Sequence, residues 1–291
     1  MKIAISTESA ADITEELKAQ YNIYVTPFTI TLGERSDKDG IITGKELIDF
    51  TIKTGKLGKT SAINSVEYAA FFEEILKEND EVIHIALSGG ITSSAQNAYL
   101  AAQEFGGKVH VIDSLSLSTG VALEVLMAAR LRDAGKTSEE IVKIVEERKM
   151  KNQTSFCFET VEFLYKGGRC SGMARFGANL LKLRPQIIMH TELGGKMESG
   201  KKFRGPVKKW VMDYVEETLK TFNNPDHELV FITHTIYGEE DYKIVDVVRE
   251  RLKQEGFKNI IEAVAGATIS CHCGPNTLGI LYMNDGDHPI A

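Results

Sequence analysis

Three hydroxyl side chains and two glycines follow one short apolar run of the sequence. The run ends at Ser88 and is followed by Gly-Gly-Ile-Thr-Ser-Ser at residues 89–94. Glycines permit a tight turn, and Thr92, Ser93 and Ser94 are typical of a helix N-cap and first turn. The N–H groups of such a turn and the positive end of a helix dipole bind an anion without any basic side chain. The segment therefore predicts either a site for a carboxylate or phosphate, or an ordinary, well-capped strand-to-helix loop.

Two further segments place hydroxyl or basic side chains in loops. Residues 59–65, Lys-Thr-Ser-Ala-Ile-Asn-Ser, carry the adjacent hydroxyls of Thr60 and Ser61 just before a predicted helix. These two residues are either ligands for the same anion or solvated loop residues. Residues 164–172, Leu-Tyr-Lys-Gly-Gly-Arg-Cys-Ser-Gly, form a basic turn in which Lys166 or Arg169 could pair with an anion. A helix C-cap with solvated charges is the simpler interpretation of that turn.

A histidine lies between two cysteines near the end of the chain, and Gly-Pro follows them. Cys271, His272 and Cys273 suggest zinc, but only one residue separates the cysteines and the sequence contains no second ligand pair. A metal site is therefore the weaker interpretation. The sequence favours His272 as a hydrogen-bond donor to an anion, with a buried structural histidine as the alternative.

The composition argues against several kinds of partner. The 291 residues include 34 Lys and Arg against 41 Asp and Glu, and a net charge of −7 argues against a nucleic-acid or anionic membrane surface. The 4 cysteines are too few for a disulfide framework, and reduced thiols fit the cytoplasm. No secretory leader and no uninterrupted run of about 18 apolar residues is visible. We therefore expect a cytoplasmic protein, long enough for two compact domains.

Short apolar runs alternate with amphipathic stretches in the first half of the chain. Strands are predicted at residues 2–6, 24–32, 81–87 and 108–113, and the last two helices at 116–134 and 137–150. Earlier helices are marked by the capping-box patterns Asp12-Ile-Thr-Glu15 and Thr43-Gly-Lys-Glu46, and by Ser65. Such βαβ units predict a parallel sheet in a three-layer α/β/α arrangement, a Rossmann-like domain over residues 1–153. Ligands are expected at the carboxyl ends of its strands.

The pattern changes after residue 153. Strands are predicted at residues 154–158, 184–190, 228–233, 259–264 and 277–283, and helices at 207–221 and 239–254. A Gly-Gly turn within residues 193–198 could join two antiparallel strands. These elements predict an α+β domain over residues 154–291 with a mixed or antiparallel sheet. We expect the ligand site in a cleft between the two domains.

In their order along the chain, these segments resemble the DegV family of bacterial fatty-acid-binding proteins. The resemblance rests on Thr60-Ser61, on the hydroxyl loop at 88–94, on Lys-Gly-Gly-Arg-Cys-Ser at 166–171 and on Cys-His-Cys-Gly-Pro at 271–275. Each motif alone is weak, but the ordered set is specific and covers essentially the whole chain. The resemblance implies a two-domain protein that buries a long-chain fatty acid between its domains. It also implies a separate fatty-acid kinase, which phosphorylates the bound acyl carboxylate.

The same resemblance implies a set of site residues. The ligands of the fatty-acid carboxylate would be Thr60, Ser61, Thr92, Ser93 and His272. Arg169 and Lys166 would lie near the head group and couple binding to the kinase. No cofactor is expected beyond the bound fatty acid, no nucleic acid is expected as a partner, and a transient contact with a membrane is compatible with this function.

Two rival classes of function stay open at this point. An esterase would use Ser61, Ser88 or Ser93 as nucleophile and His272 as base, but the sequence has no Gly-x-Ser-x-Gly elbow and no identifiable acidic partner. A metal-binding protein would depend on the Cys-His-Cys segment at 271–273 alone. The prediction is therefore a lipid carrier that is not catalytic by itself.

Overall fold

The computed structural model describes residues 1–169 and 184–288 of the protein. Within these residues the strands are β1 (Ile3–Glu8), β2 (Ile23–Thr26), β3 (Thr29–Leu32), β4 (Arg35–Lys38), β5 (Lys59–Ser61), β6 (Glu81–Ala86), β7 (Val109–Asp113), β8 (Asn152–Phe158), β9 (Arg184–His190), β10 (Lys196–Phe203), β11 (Leu229–His234), β12 (Asn259–Val264) and β13 (Thr277–Met283). The helices are α1 (Glu15–Gln20), α2 (Gly44–Thr54), α3 (Ser65–Leu76), α4 (Ser94–Ala102), α5 (Thr119–Asp133), α6 (Ser138–Arg148), α7 (Glu162–Gly167), α8 (Val207–Thr221), α9 (Glu239–Glu255) and α10 (Ala267–Cys273).

The first half of the chain forms a four-stranded parallel sheet in the order β2, β1, β6, β7. Ile5 of the central strand β1 lies opposite Ile23 on one side and Ile83 on the other, and all six residues of β1 are buried. Helices α3 and α4 pack together against this sheet, as do α5 and α6. Parallel neighbours require such helical crossovers. The predicted parallel α/β sheet is confirmed.

The second half forms a six-stranded sheet in the order β10, β9, β8, β13, β11, β12. Its pairs are antiparallel except for β11 and β12, which run parallel. The predicted Gly-Gly turn is Gly194 and Gly195, with φ of 72° and 69°, and it joins β9 to β10. The predicted mixed sheet is therefore confirmed, and residue bounds such as Val207–Thr221 agree with the prediction.

The single strand predicted at residues 24–32 is wrong. The chain leaves the parallel sheet after Thr26, and residues Thr29–Leu32 instead pair with β4 and β5 in a small antiparallel sheet. Pro27 stands between the two strands, and proline has no N–H for a sheet ladder. The break follows from that missing donor. Strand β4 escaped prediction because all four of its residues are polar.

The predicted capping box that begins at Asp12 is also wrong. Helix α1 begins at Glu15, and its N-cap is Thr14, whose hydroxyl accepts a hydrogen bond from Leu17 N at 3.4 Å. Asp12 has a left-handed backbone, with φ of 48°, which aspartate tolerates better than most residues. Its carboxylate is used elsewhere in the fold. The cap predicted at Thr43 is confirmed, because its hydroxyl accepts from Glu46 N.

One hydrophobic core connects the two sheets. Helix α5 contacts strands of both sheets, and Ile5 and Ile83 belong to the same buried cluster as Phe156 and Leu281. The chain passes into the second sheet at β8, and the division into domains at residue 153 stays a prediction. Among the described residues, no helix has both the length and the apolar character needed to cross a membrane.

Candidate functional site

A cavity of about 1230 Å³ opens at the carboxyl ends of β6 and β7. Its walls come from the loops after these two strands, from β5, from α7 and the residues after it, from the β9–β10 turn and from α10. This edge of a parallel sheet is where ligands are expected to bind. Both halves of the chain therefore contribute to the same cavity.

Thr60 and His272 meet at the wall of this cavity. The Oγ1 atom of Thr60 lies 2.9 Å from Nε2 of His272, although 212 positions separate the two residues. Thr60 lies in β5, opposite Ile30 of β3. Since successive side chains of a strand point to opposite faces, Ser61 cannot share the direction of Thr60. Ser61 is exposed and does not line the cavity.

His272 is neutral at neutral pH. Burial lowers the pKa of its imidazole to about 4, and the nearby positive charge of Arg169 adds to the effect. Its Nδ1 atom is buried and has no hydrogen-bond partner in residues 1–169 or 184–288. Gly167 makes room at this nitrogen, because a Cβ there would lie 2.7 Å from Nδ1. The neutral imidazole and the Thr60 hydroxyl can therefore form hydrogen bonds to a ligand, although neither side chain carries a permanent charge.

The glycines after β6 do not form the open anion site that the sequence predicted. Gly89 N donates to both carboxylate oxygens of Asp113, at 3.1 and 3.2 Å, and Gly90 N donates to the Ser88 hydroxyl at 3.1 Å. The Ser88 hydroxyl in turn donates to the carbonyl of Gly195 at 2.8 Å. These contacts join the loop to β7 and to the β9–β10 turn. The sequence analysis missed Asp113 as a partner of this loop. Its position as an acidic residue at the end of the neighbouring strand β7 is the signal that could have found it.

The first turn of α4 has the donors that the glycine loop lacks. Thr92 Oγ1 accepts from Ser94 N at 3.2 Å, while the side chain of the N-cap residue Ser93 makes no capping bond. Within the described part of the chain, the backbone N–H groups of Ser93, Ala95 and Gln96 have no acceptor. All of these residues except Ser94 line the cavity. The N–H donors that an anion could use therefore lie in this turn, one step further along the chain.

Arg169 and Lys166 differ in their surroundings. Lys166 forms an ion pair with Glu162 at 2.5 Å on the surface of α7 and does not line the cavity. Arg169 lines the cavity, donates to the carbonyl of Gly167 at 2.6 Å and has no carboxylate partner among the described residues. The rest of the predicted basic turn, Cys170, Ser171 and Gly172, lies outside the described residues. Arg169 is thus the cation of this turn that can reach a ligand.

The Cys-His-Cys segment does not have the geometry of a metal site. Residues 271–273 are consecutive in α10, so their side chains point in different directions around the helix. Burial raises the pKa of the Cys271 thiol to about 11 and raises that of Cys273 as well, whereas zinc binds thiolates. No group of three ligand side chains suited to a metal is found within the described ranges.

The contacts of His272 also differ from those of a catalytic base. Its hydroxyl partner is Thr60 rather than Ser61, Ser88 or Ser93. No acidic side chain of the described residues bonds to the other ring nitrogen, so the third member of a hydrolase triad is not found there. This arrangement is better suited to binding an anion than to activating a nucleophile.

Comparison with known proteins identifies the family. The family model described as "Uncharacterised protein, DegV family" matches residues 2–285. The chain belongs to the DegV family. A DegV domain-containing protein from Deinococcus radiodurans is 30% identical over 282 residues, covering 96% of this chain and 98% of the relative. Another from Caldanaerobacter subterraneus subsp. tengcongensis is 32% identical over 284 residues, covering 97% of this chain and 98% of the relative.

Solved structures of DegV proteins share this fold. A structure described as fatty-acid binding of a DegV family protein from Thermus thermophilus has a TM-score of 0.87 and 28% identity, covering 97% of this chain and all (100%) of that one. DegV from Bacillus subtilis, described as a fatty acid binding protein, has a TM-score of 0.82 and 25% identity, covering 97% and 99% of the two chains. The resemblance and the fold class predicted from the sequence are confirmed.

A narrow slot of about 20 Å³ adjoins the cavity in this DegV chain. Leu117, Ile269 and Cys273 line both spaces, and the slot continues along the second sheet to Phe156 and Leu281. The sequence analysis did not predict these residues as part of a site, because a buried apolar side chain has the same sequence pattern whether it lines a channel or fills a core. Only their positions around the slot distinguish them.

Proposed function

We propose that the protein binds a long-chain fatty acid, with the carboxylate in the cavity and the acyl chain in the slot beside the second sheet. The observation that carries this proposal is the contact between Thr60 and His272, beside the unpaired first turn of α4 and at the entrance to an apolar space. The fatty-acid binding described for the relatives from Thermus thermophilus and Bacillus subtilis supports it. No cofactor is part of the proposal.

The proposed carboxylate ligands are polar groups without a permanent charge. Neutral His272 and the hydroxyl of Thr60 face the first turn of α4, where Thr92 and Ser93 also line the cavity. A carboxylate bound by several such donors makes charge-assisted hydrogen bonds, which offset the loss of its hydration. Ser61 was predicted as a fifth ligand, and its exposed position gives it the weakest support of the set.

The acyl chain supplies most of the affinity in this proposal. Burial of each methylene contributes about 0.8 kcal/mol, so a sixteen-carbon chain contributes on the order of 10 kcal/mol before ordering costs are subtracted. The slot lies between Phe156 and Leu281 of the second sheet and Leu117 of the first half of the chain. Its present volume requires that these side chains move apart when the acyl chain enters.

The proposed role is that of a carrier, which presents the carboxylate to a separate fatty-acid kinase for conversion into an acyl phosphate. The carboxylate end of the ligand would face the open cavity, where a second protein could reach it. Arg169 lines this opening and has no carboxylate partner among the described residues, so its charge suits the anionic product. Lys166 precedes Arg169, in the last turn of α7, and is paired there with Glu162.

Mass spectrometry of an organic extract of the purified protein tests the binding function. We expect a long-chain fatty acid in the extract, and one fatty acid per chain when the delipidated protein is titrated with palmitate in a calorimeter. An empty extract together with no heat of binding would overturn the proposal. A substoichiometric lipid that does not rebind would overturn it equally.

A further inference from the structure

Two carboxylates from distant parts of the chain hold the beginning of α10. Asp39 accepts hydrogen bonds from Ala267 N at 2.8 Å, from Thr268 N at 3.1 Å and from the Thr268 hydroxyl at 2.5 Å. Asp12 accepts from Gly266 N at 2.8 Å, across 254 positions of sequence. Three consecutive N–H groups at the start of α10 are thus bound by side chains of the first 39 residues.

Both carboxylates are themselves fixed by hydroxyl groups. The second oxygen of Asp12 accepts a hydrogen bond from the Ser118 hydroxyl, which lies just before α5. Ser9 donates to Asp39 at 2.9 Å, and the same hydroxyl accepts from Phe28 N at 3.1 Å. Phe28 lines the cavity. The pair therefore connects α10 with the first sheet and with the cavity wall.

Helix α10 has only seven residues and needs such support. A helix this short is unstable in water by itself, because nucleation fixes several residues for each hydrogen bond gained. His272 lies in its last turn and contacts Thr60, which belongs to the small antiparallel sheet. A shift at the start of α10 would move the imidazole away from Thr60.

We propose that Asp39 and Asp12 are positioning residues for the fatty-acid site, which hold His272 opposite Thr60 and make the affinity for the carboxylate depend on the charge of Asp12. This inference rests on the proposed function. Neither carboxylate lines the cavity, so each acts through α10 rather than by touching the ligand.

Asp12 is the member of this group that changes charge near neutral pH. Burial raises the pKa of its carboxyl to about 7, and repulsion from Asp39 adds to the increase. The hydrogen bonds with Ser118 and Gly266 lower the pKa and only partly offset this effect. The other titratable groups that face it are Tyr237 and the Cys273 thiol, whose pKa values are both raised by burial, so both stay neutral. Asp12 is close enough to Cys273, a lining residue of the cavity, for its charge to raise the pKa of that thiol. An ionised Asp12 therefore adds a negative charge beside the cavity, and we expect the affinity for a carboxylate to weaken as pH rises through about 7.

Three variants separate this role from a general effect on folding. Asp39→Asn and Asp12→Asn keep the size of each side chain and remove its charge. Asp37→Asn is the matched control, because Asp37 lies two positions away in β4 and its carboxylate contacts Arg35 and its own neighbour Lys38 rather than α10. The measurements are the affinity for a fluorescent fatty acid between pH 6 and 8 and the imidazole NMR signals of His272 and His84.

We expect Asp39→Asn to weaken fatty-acid binding about tenfold or more. A displaced His272 would lose its hydrogen bond to the charged carboxylate, and one such bond accounts for a change of that size. The same variant should shift the His272 signal while the signal of His84, buried in another part of the core, stays in place. Asp12→Asn should remove the pH dependence that the wild type shows, and Asp37→Asn should change neither quantity.

Wild-type affinity in Asp39→Asn with an unmoved His272 signal would overturn the inference. If Asp39→Asn does not fold, the pH profile of Asp12→Asn decides, and a wild-type profile in that variant would overturn it. Failure of the proposed function gives a different result, since the wild type then binds no fatty acid at any pH. The His272 signal of the variants reports on the role of the carboxylates even in that case.

Discussion

Two histidines near the slot, the buried His234 and the partly buried His272, differ in their hydrogen bonds. His234, at the end of β11, uses both ring nitrogens, with Nε2 at 3.2 Å from Glu262 and Nδ1 accepting from Ile236 N at 3.1 Å. His272, at the end of α10, uses one nitrogen for Thr60 and has the other unpaired within the described residues. Burial lowers the pKa of both imidazoles, and Glu262 opposes the decrease at His234 only.

The comparison shows how the same residue type serves two purposes. A buried polar group without a partner costs stability, so a fold usually satisfies it, as it does for His234. His272 lines a cavity and has hydrogen-bonding capacity that no described residue uses, as a ligand-binding residue requires. We therefore expect changes at His234 to affect mainly folding, and changes at His272 to affect mainly binding.

His234→Ala should give the largest effect on stability. The substitution removes two hydrogen bonds and leaves the buried Ile236 N–H without an acceptor. We expect the free energy of unfolding, measured by urea denaturation, to fall by about 3 kcal/mol. A decrease of the same size in His272→Ala would contradict the distinction between the two residues.

The pH dependence of the free energy of unfolding should show the next largest effect, and it arises from His272. An unfolded histidine takes up a proton near pH 6.5, whereas folded His272 does so only at about pH 4. The unfolded state binds more protons between these values, so this group stabilises the fold above pH 6.5 and its contribution is lost as pH falls toward 4. We expect that loss to reach about 2–3 kcal/mol in the wild type, and urea denaturation of His272→Gln should lack it. Parallel stability curves for the two proteins would contradict the assignment.

His272→Ala should weaken fatty-acid binding and leave the fold largely intact. Loss of one hydrogen bond to a charged group costs about 1.5–3 kcal/mol, and calorimetric titration with palmitate measures it directly. Within the described residues, the substitution removes one hydrogen bond, the contact of His272 with Thr60. Unchanged affinity would place the carboxylate elsewhere in the cavity.

Thr60→Val and Ser61→Ala form a matched pair with a smaller effect. Thr60 contacts His272 at the cavity, while its neighbour Ser61 is exposed on the other side of β5. We expect Thr60→Val to cost about 1 kcal/mol of fatty-acid affinity and Ser61→Ala less than about 0.5 kcal/mol. The reverse order would return Ser61 to the carboxylate site.

Arg169→Ala should have the smallest effect on binding. Since Arg169 is exposed at the opening, its removal should change fatty-acid affinity by less than about 0.5 kcal/mol. With a cognate kinase it should slow acyl-phosphate formation in lipid-loaded protein, and Lys166→Ala, which removes a cation already paired with Glu162, is the control. Equal turnover in wild type and Arg169→Ala would leave the kinase-binding surface unassigned.

Local patterns in the sequence determined much of the fold. The periodic helix Val207–Thr221 and the short apolar strands Asn259–Val264 and Thr277–Met283 were predicted with their observed bounds. Each of these predictions depends on the spacing of apolar side chains within one helix or strand, which can be read directly from the sequence. The ordered motifs likewise identified the family, and they named five residues that line the cavity, Thr60, Thr92, Ser93, Arg169 and His272.

Only the tertiary structure decided which of those polar groups are available to a ligand. Gly89 looked open in the sequence, but Asp113 of the neighbouring strand occupies its N–H group. Residues 267–273 carried no clear helical signal, and they form a helix whose first N–H groups are bound by Asp39 and Asp12. The reason is that a hydrogen bond between residues hundreds of positions apart leaves no periodicity in either segment, so its partners become known only when the chain is folded.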